Sequence, residues 1–153
     1  MKSKKSIISL SVFLFIAISA FAQKGDYFVD KKNTAVNGYD VVAYFDGVAV
    51  KGNKGFSTEY DGINYHFSSA ENLRKFKADP SKYMPEYGGY CAYAVAKTGE
   101  KVSVNPKTFE LRDGKLYLFY NSWGNNTLKS WLKEDPKVLK GKADENWKKL
   151  KTN

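Results

Sequence analysis

The sequence predicts an α+β domain: a small antiparallel sheet of hairpins with several short helices packed on it. Three observations lead there. Asp-Gly, a strong short-range hairpin signal, stands at Asp46-Gly47, Asp61-Gly62 and Asp113-Gly114, each between short runs rich in β-branched and aromatic residues. Ser68-Ser69-Ala70-Glu71 has the spacing of a helix-starting capping box. Aromatic residues make up 16% of the chain and eleven are tyrosine, so a small core must be packed with rings whose hydroxyls find partners.

The first 22 residues stand apart from that domain. Lys2, Lys4 and Lys5 form a basic start, Ile7 to Ile18 an apolar run broken only by serines, and Ala20-Phe21-Ala22 places small residues at both cleavage positions. This is the pattern of a secretory signal. The apolar run is shorter than the ~20 residues a membrane span requires, so residues 1–22 are expected to be removed. Gln23 then begins a periplasmic or secreted chain that does not span the membrane.

Residues 23–37 read as a lead-in and 38–150 as one domain, a length that suits a single core. Asp40 to Phe45 and Val48 to Val50 are expected as extended segments around Asp46-Gly47, and Phe56 to Tyr60 and Ile63 to Phe67 around Asp61-Gly62. A helix follows from Ser68, with Leu73 and Phe76 on one face and Asp79-Pro80 as its stop. Tyr90 to Lys97 gives a second helix, entered from Gly88-Gly89 and closed by Gly99. Thr108 to Arg112 and Lys115 to Tyr120 flank Asp113-Gly114 as the clearest hairpin. Leu128, Trp131 and Leu132 fall at helical spacing before Pro136, and Ala143 to Leu150 forms a last, lysine-rich helix carrying Trp147. No internal repeat and no low-complexity stretch is read along the chain.

The formal charge is +9, and loss of Lys2, Lys4 and Lys5 with the signal lowers it to +6. The basic C-terminal stretch is interrupted by Glu134, Asp135, Asp144 and Glu145, which fits a solvated helix face and argues against nucleic acid as a partner. Standard hydrolase triads, haem-attachment, phosphate-loop and metalloprotease motifs are missing, so the residues favour a non-enzyme. Cys91, the sole cysteine, has no partner for an internal disulfide. In an oxidising compartment it is either packed and inert or kept for its chemistry. His66 is the base that could activate that thiol. Cys91, His66 and Met84 together are too few for structural zinc but acceptable to copper as a three-donor cuprous site. Redox turnover would need a partner thiol from another molecule, because the chain has no resolving cysteine; for soft-metal handling the expected partner is a metal-handling protein. Tyr65, Tyr83, Tyr87, Tyr90 and Tyr93 form the alternative, an aromatic pocket for a small ligand. A third reading is an accessory or scaffold protein that uses an exposed patch at Trp123 or Trp131.

Asp61-Gly62-Ile63-Asn64-Tyr65-His66-Phe67-Ser68-Ser69, then Phe76 and Asp79-Pro80-Ser81-Lys82-Tyr83, resembles the YHS domain. Gly38 to Phe45, Tyr87 to Ala92, Asp113 to Leu118 and Asn146-Trp147 extend the resemblance to the exported, single-domain bacterial proteins of that family. The resemblance implies metal binding, with copper proposed, through a Phe-Cys-Ser-x-x-Cys motif. This chain departs from it, since Ser68 and Asn72 stand where the two thiols are expected. In the exported subgroup a cysteine, or in some relatives a selenocysteine, occupies the position of Cys91, which implies thiol redox or soft-metal handling at that sulfur.

Overall fold

Two of the three Asp-Gly turns, Asp61-Gly62 and Asp113-Gly114, close hairpins as the sequence predicts. In the computed structural model, which describes residues 25–152, Asp61 and Gly62 take φ of 51° and 74° and Asp113 and Gly114 take 51° and 71°. Two successive positive-φ residues match the right-handed twist of the strands they join. The first turn connects β1 (Asn53–Tyr60) to β2 (Ile63–Phe67), and the second connects β3 (Asn105–Arg112) to β4 (Lys115–Phe119). A third, short hairpin pairs β5 (Asn121–Ser122) with β6 (Asn125–Asn126). The five helices are α1 (Ala70–Ala78), α2 (Pro80–Tyr83), α3 (Ala92–Thr98), α4 (Thr127–Glu134) and α5 (Pro136–Thr152). The architecture is α+β, with three separate two-stranded antiparallel sheets where one small sheet was expected. The signal expected over residues 1–22 lies outside the described residues.

The two long hairpins follow one plan. Asn53 pairs with Phe67 and Asn105 with Phe119; the register then slips at a bulge, so that Ser57 meets His66 and Phe109 meets Leu118. Each bulge is braced by its asparagine, which accepts from the amide two residues on, Gly55 at 2.8 Å and Lys107 at 3.0 Å. Ahead of each hairpin runs a left-handed turn, Val36-Asn37-Gly38 in one case and Tyr87-Gly88-Gly89 in the other. Tyr39 and Tyr90 close these turns by donating to Val36 and Tyr87, both at 3.1 Å. The next residues, Asp40 and Cys91, donate their amides to Val50 and Val102, both at 2.9 Å. After each hairpin a helix ends at Asp-Pro and another begins, α1 to α2 at Asp79-Pro80 and α4 to α5 at Asp135-Pro136.

The chain is therefore a tandem repeat, contrary to the sequence reading. The repeated residues are few, chiefly Asp-Gly-x-x-Tyr-x-Phe at Asp61 to Phe67 and at Asp113 to Phe119. The β5–β6 hairpin, which has no counterpart in the first unit, shifts the spacing of everything after it.

Strand alternation then builds the core. Ile63, Tyr65 and Phe67 on β2 are buried while Asn64 and His66 are only half-buried, as the two-residue period requires. On β4 every residue from Leu116 to Phe119 is buried, because the strand lies between two cores. Leu116 and Leu118 join Tyr44, Tyr65, Phe67 and Phe76, whereas Tyr117 and Phe119 join Trp131, Val95 and Leu139.

Local expectations fail where a side chain is claimed by a distant partner. Ala43–Asp46 is a 3-10 turn and not a strand, since the Asp40 carboxylate accepts from the amides of Val42 and Ala43 and starts a helical turn. Gly47, at φ 81°, caps that turn instead of closing a hairpin. The cap of α1 is Ser69, which accepts from Asn72 at 3.1 Å; Ser68 is engaged by Asp40, and Glu71 pairs with Lys75. Pro136 opens α5 well before Ala143, its missing amide costing nothing at a first helical position. Leu132 is exposed on α4 although Leu128 and Trp131 pack inward. The expected lead-in is tied into the domain through Ala35 and Val36, both buried, and through the Phe28 amide on the Gly88 carbonyl. No helix among the described residues is long and apolar enough to cross a membrane.

Candidate functional site

The position after each turn-closing tyrosine, Asp40 in the first unit and Cys91 in the second, lies where an opening helical turn meets the end of a hairpin. Asp40 is fully buried and has five donors around its carboxylate. Oδ1 accepts from the amides of Val42 at 2.9 Å and Ala43 at 3.2 Å. Oδ2 accepts from the Ser68 amide and hydroxyl, both at 2.7 Å, and from Asn72 Nδ2 at 2.8 Å. The sequence reading passed over Asp40, although it lies within the quoted run Gly38 to Phe45.

Cys91 is also fully buried. It is the N-cap of α3, its carbonyl accepts from Val95 at 3.0 Å, and it bridges to Leu118 on β4. Its Sγ lies 3.3 Å from Thr127 Oγ1. The Thr127 hydroxyl donates to the Tyr120 carbonyl at 2.9 Å, which leaves the thiol as the donor to Thr127 Oγ1. Above the sulfur is an open hollow of about 340 Å³, walled by Tyr93, Lys97, Val102 and Tyr120.

His66 is elsewhere. It projects from the outer face of β2 into a hollow of about 440 Å³ lined by Asp30, Lys31, Lys32, Lys51 and Lys54. Burial, then the nearby charge of Lys54, lowers its pKa, with Asp30 opposing. Met84 lines a third hollow of about 200 Å³ beside Trp147. Cys91, His66 and Met84 thus face three different hollows, so neither the Cys91–His66 pair nor the three-donor cuprous site is assembled.

The tyrosines do not form a common pocket either. Tyr65 packs on Phe76, Tyr83 on Phe45, Tyr87 on Tyr117 and Trp147, and Tyr90 on Phe28 and Trp147. Tyr93 instead donates to Glu134 at 2.6 Å. Burial pushes the hydroxyls of Tyr65 and Tyr87 well above the usual tyrosine range. Trp131 is buried, so of the two suggested partner-facing tryptophans only Trp123 is exposed.

Residues 41–87 match the family model of the YHS domain. The chain carries a YHS domain. The match begins just after Asp40 and runs through the hairpin and helices of the first unit to Tyr87, and no curated protein and no solved structure matches.

The YHS family is one to which metal binding has been attributed, and the geometry tests that attribution here. The two positions expected to carry thiols do converge, since Ser68 Oγ and Asn72 Nδ2 are 3.4 Å apart and both donate to Asp40. What they surround is a carboxylate already saturated by hydrogen-bond donors, without a soft ligand. Among the described residues no group of three or more His, Cys, Asp or Glu side chains could hold a metal ion. The residues of this YHS domain do not fit a self-contained metal site.

Proposed function

We propose that the protein is an exported, non-catalytic binding module whose first unit, with the segment leading into it, frames a small-ligand site in the hollow beside His66. The observation that carries this reading is the hollow itself, the largest of those described above, with the only imidazole of the chain at its wall. Pockets of this size with a few convergent polar groups are the ordinary form of a small-molecule site. Thiol redox has less support. Cys91 is buried, its hydrogen is engaged by Thr127, and it has neither an adjacent base nor a second cysteine.

A second reading keeps soft-metal or thiol handling at Cys91. The observation favouring it is that the sulfur belongs to the wall of the hollow shared with Tyr93 and Tyr120. Alkylation of the folded protein, alone and with one equivalent of Cu(I), decides between them. The binding-module reading expects Cys91 to react only on unfolding, with no effect of copper. Rapid alkylation of the native protein, or its suppression by copper, would move the function to the thiol. N-terminal sequencing of protein recovered from outside the cytoplasm is expected to begin at Gln23.

A further inference from the structure

We propose that the hollow beside His66 binds the phosphate group of a small molecule. The inference rests on reading that hollow as the ligand site and names the chemistry of its occupant. Lys31, Lys32, Lys51 and Lys54 line it, from a loop before the first unit, the segment leading into β1, and β1 itself. Asp30 is the only acid in the lining, and its Oδ1 is occupied by the amides of Lys32 at 2.8 Å and Thr34 at 3.0 Å. None of the four lysines takes part in the ion pairs of the described residues. The excess of positive charge is therefore not neutralised by the protein.

The hollow is also shaped. Lys51 Nζ is held in place by the Asn37 carbonyl at 2.7 Å and by the Tyr39 ring, 5.3 Å from its centroid. Gly38, at φ 79°, has no side chain where a Cβ would stand 3.5 Å from His66 Nδ1, so that edge of the imidazole stays open. The His66 ring has no hydrogen-bond partner among the described residues. An open imidazole edge surrounded by point-charge ammonium groups, with no arginine in the lining, suits a compact, multiply charged oxyanion better than a planar carboxylate.

The sole histidine gives the test a unique signal. The ring resonances of His66 are followed by NMR against pH in chloride, then in inorganic phosphate, glycerol 3-phosphate and acetate at equal ionic strength. The charged groups facing the ring are Asp30, Lys31, Lys32, Lys51 and Lys54. A bound dianion offsets the lysines, so phosphate is expected to raise the His66 midpoint by about half a unit or more, saturably. The Lys51→Gln/Lys54→Gln variant is expected to bind phosphate about tenfold or more weakly. Its His66 midpoint without phosphate should rise, which shows that the fold and the ring environment persist. Equal response to both phosphate probes points to free phosphate, and a stronger response to the ester points to a phosphorylated metabolite; both support the proposal. A midpoint moved by acetate but not by either phosphate overturns the phosphate assignment and leaves the ligand site. A midpoint that is the same in every anion overturns both.

Discussion

Asp40 and Cys91 occupy one structural position, yet only Asp40 organises what surrounds it. Its carboxylate gathers the start of a helical turn, the end of β2 and the first turn of α1. Asp40→Ala leaves buried amide and side-chain donors without an acceptor and is expected to cost about 3 kcal/mol, measured as a lower urea midpoint. Ser68→Ala removes one of the five donors and is expected to cost about 1 kcal/mol. A loss for Asp40→Ala no larger than for Ser68→Ala would show that the carboxylate is not the organising group. Gly88 is a second decisive position. At φ 62°, a Cβ there would stand 1.8 Å from the Asp26 carbonyl oxygen, so Gly88→Ala must displace the N-terminal segment. It is expected to lower stability by more than ~1 kcal/mol and to expose residues near Asp26 to proteolysis.

Element by element, legibility followed how local the determining contacts are. The β2 and β4 hairpins were readable because Asp-Gly sets the turn within four residues. The start of α1 was misplaced by one residue because Ser68 answers to Asp40, far away in sequence. The His66 hollow was not legible at all: its lysines come from separate segments that look like ordinary solvated charge, and only the fold brings them to one rim. Tyrosines show the same dependence on context and make a prediction in alkali. Tyr27 donates to Asp61 at the first hairpin turn, and that bond, with burial adding to it, pushes its pKa up to about 12. Burial raises Tyr44, Tyr65, Tyr87 and Tyr117 further. Each folded-state value lies above the ordinary value of ~10, so the unfolded chain loses these protons first and stability falls as pH rises. Stability should hold below about pH 10 and decline above it, with tyrosinate absorbance growing together with the loss of circular dichroism. Tyrosinate forming fully while the fold remains intact would contradict the burial argument.

At the scale of the whole molecule, the family match ends at residue 87 but the core does not. The cluster around Tyr65, Phe67 and Phe76 is completed by Cys91, Val104, Leu116 and Leu118 of the second unit. Tyr44 crosses the same boundary: its hydroxyl donates to the Pro106 carbonyl at 2.6 Å, and its ring meets Phe109 edge-on, 4.8 Å between centroids. The second unit in turn needs the first to cover Leu116 and Leu118 on one face of β4, while Tyr117 and Phe119 on the other face sit in a core built from second-unit residues alone. Neither unit can bury its apolar face alone, which is how tandem repeats become obligate neighbours. A fragment of residues 25–85 is therefore expected to lack a cooperative thermal transition, although it contains most of the family match. Mixing it with a fragment of residues 86–152 should restore circular dichroism and bury Cys91 against alkylation, since the missing half of the shared core is then supplied. A 25–85 fragment that unfolds cooperatively by itself would mean that the first unit is a complete domain and that the contacts of Tyr44, Leu116 and Leu118 join two folded bodies instead of creating one.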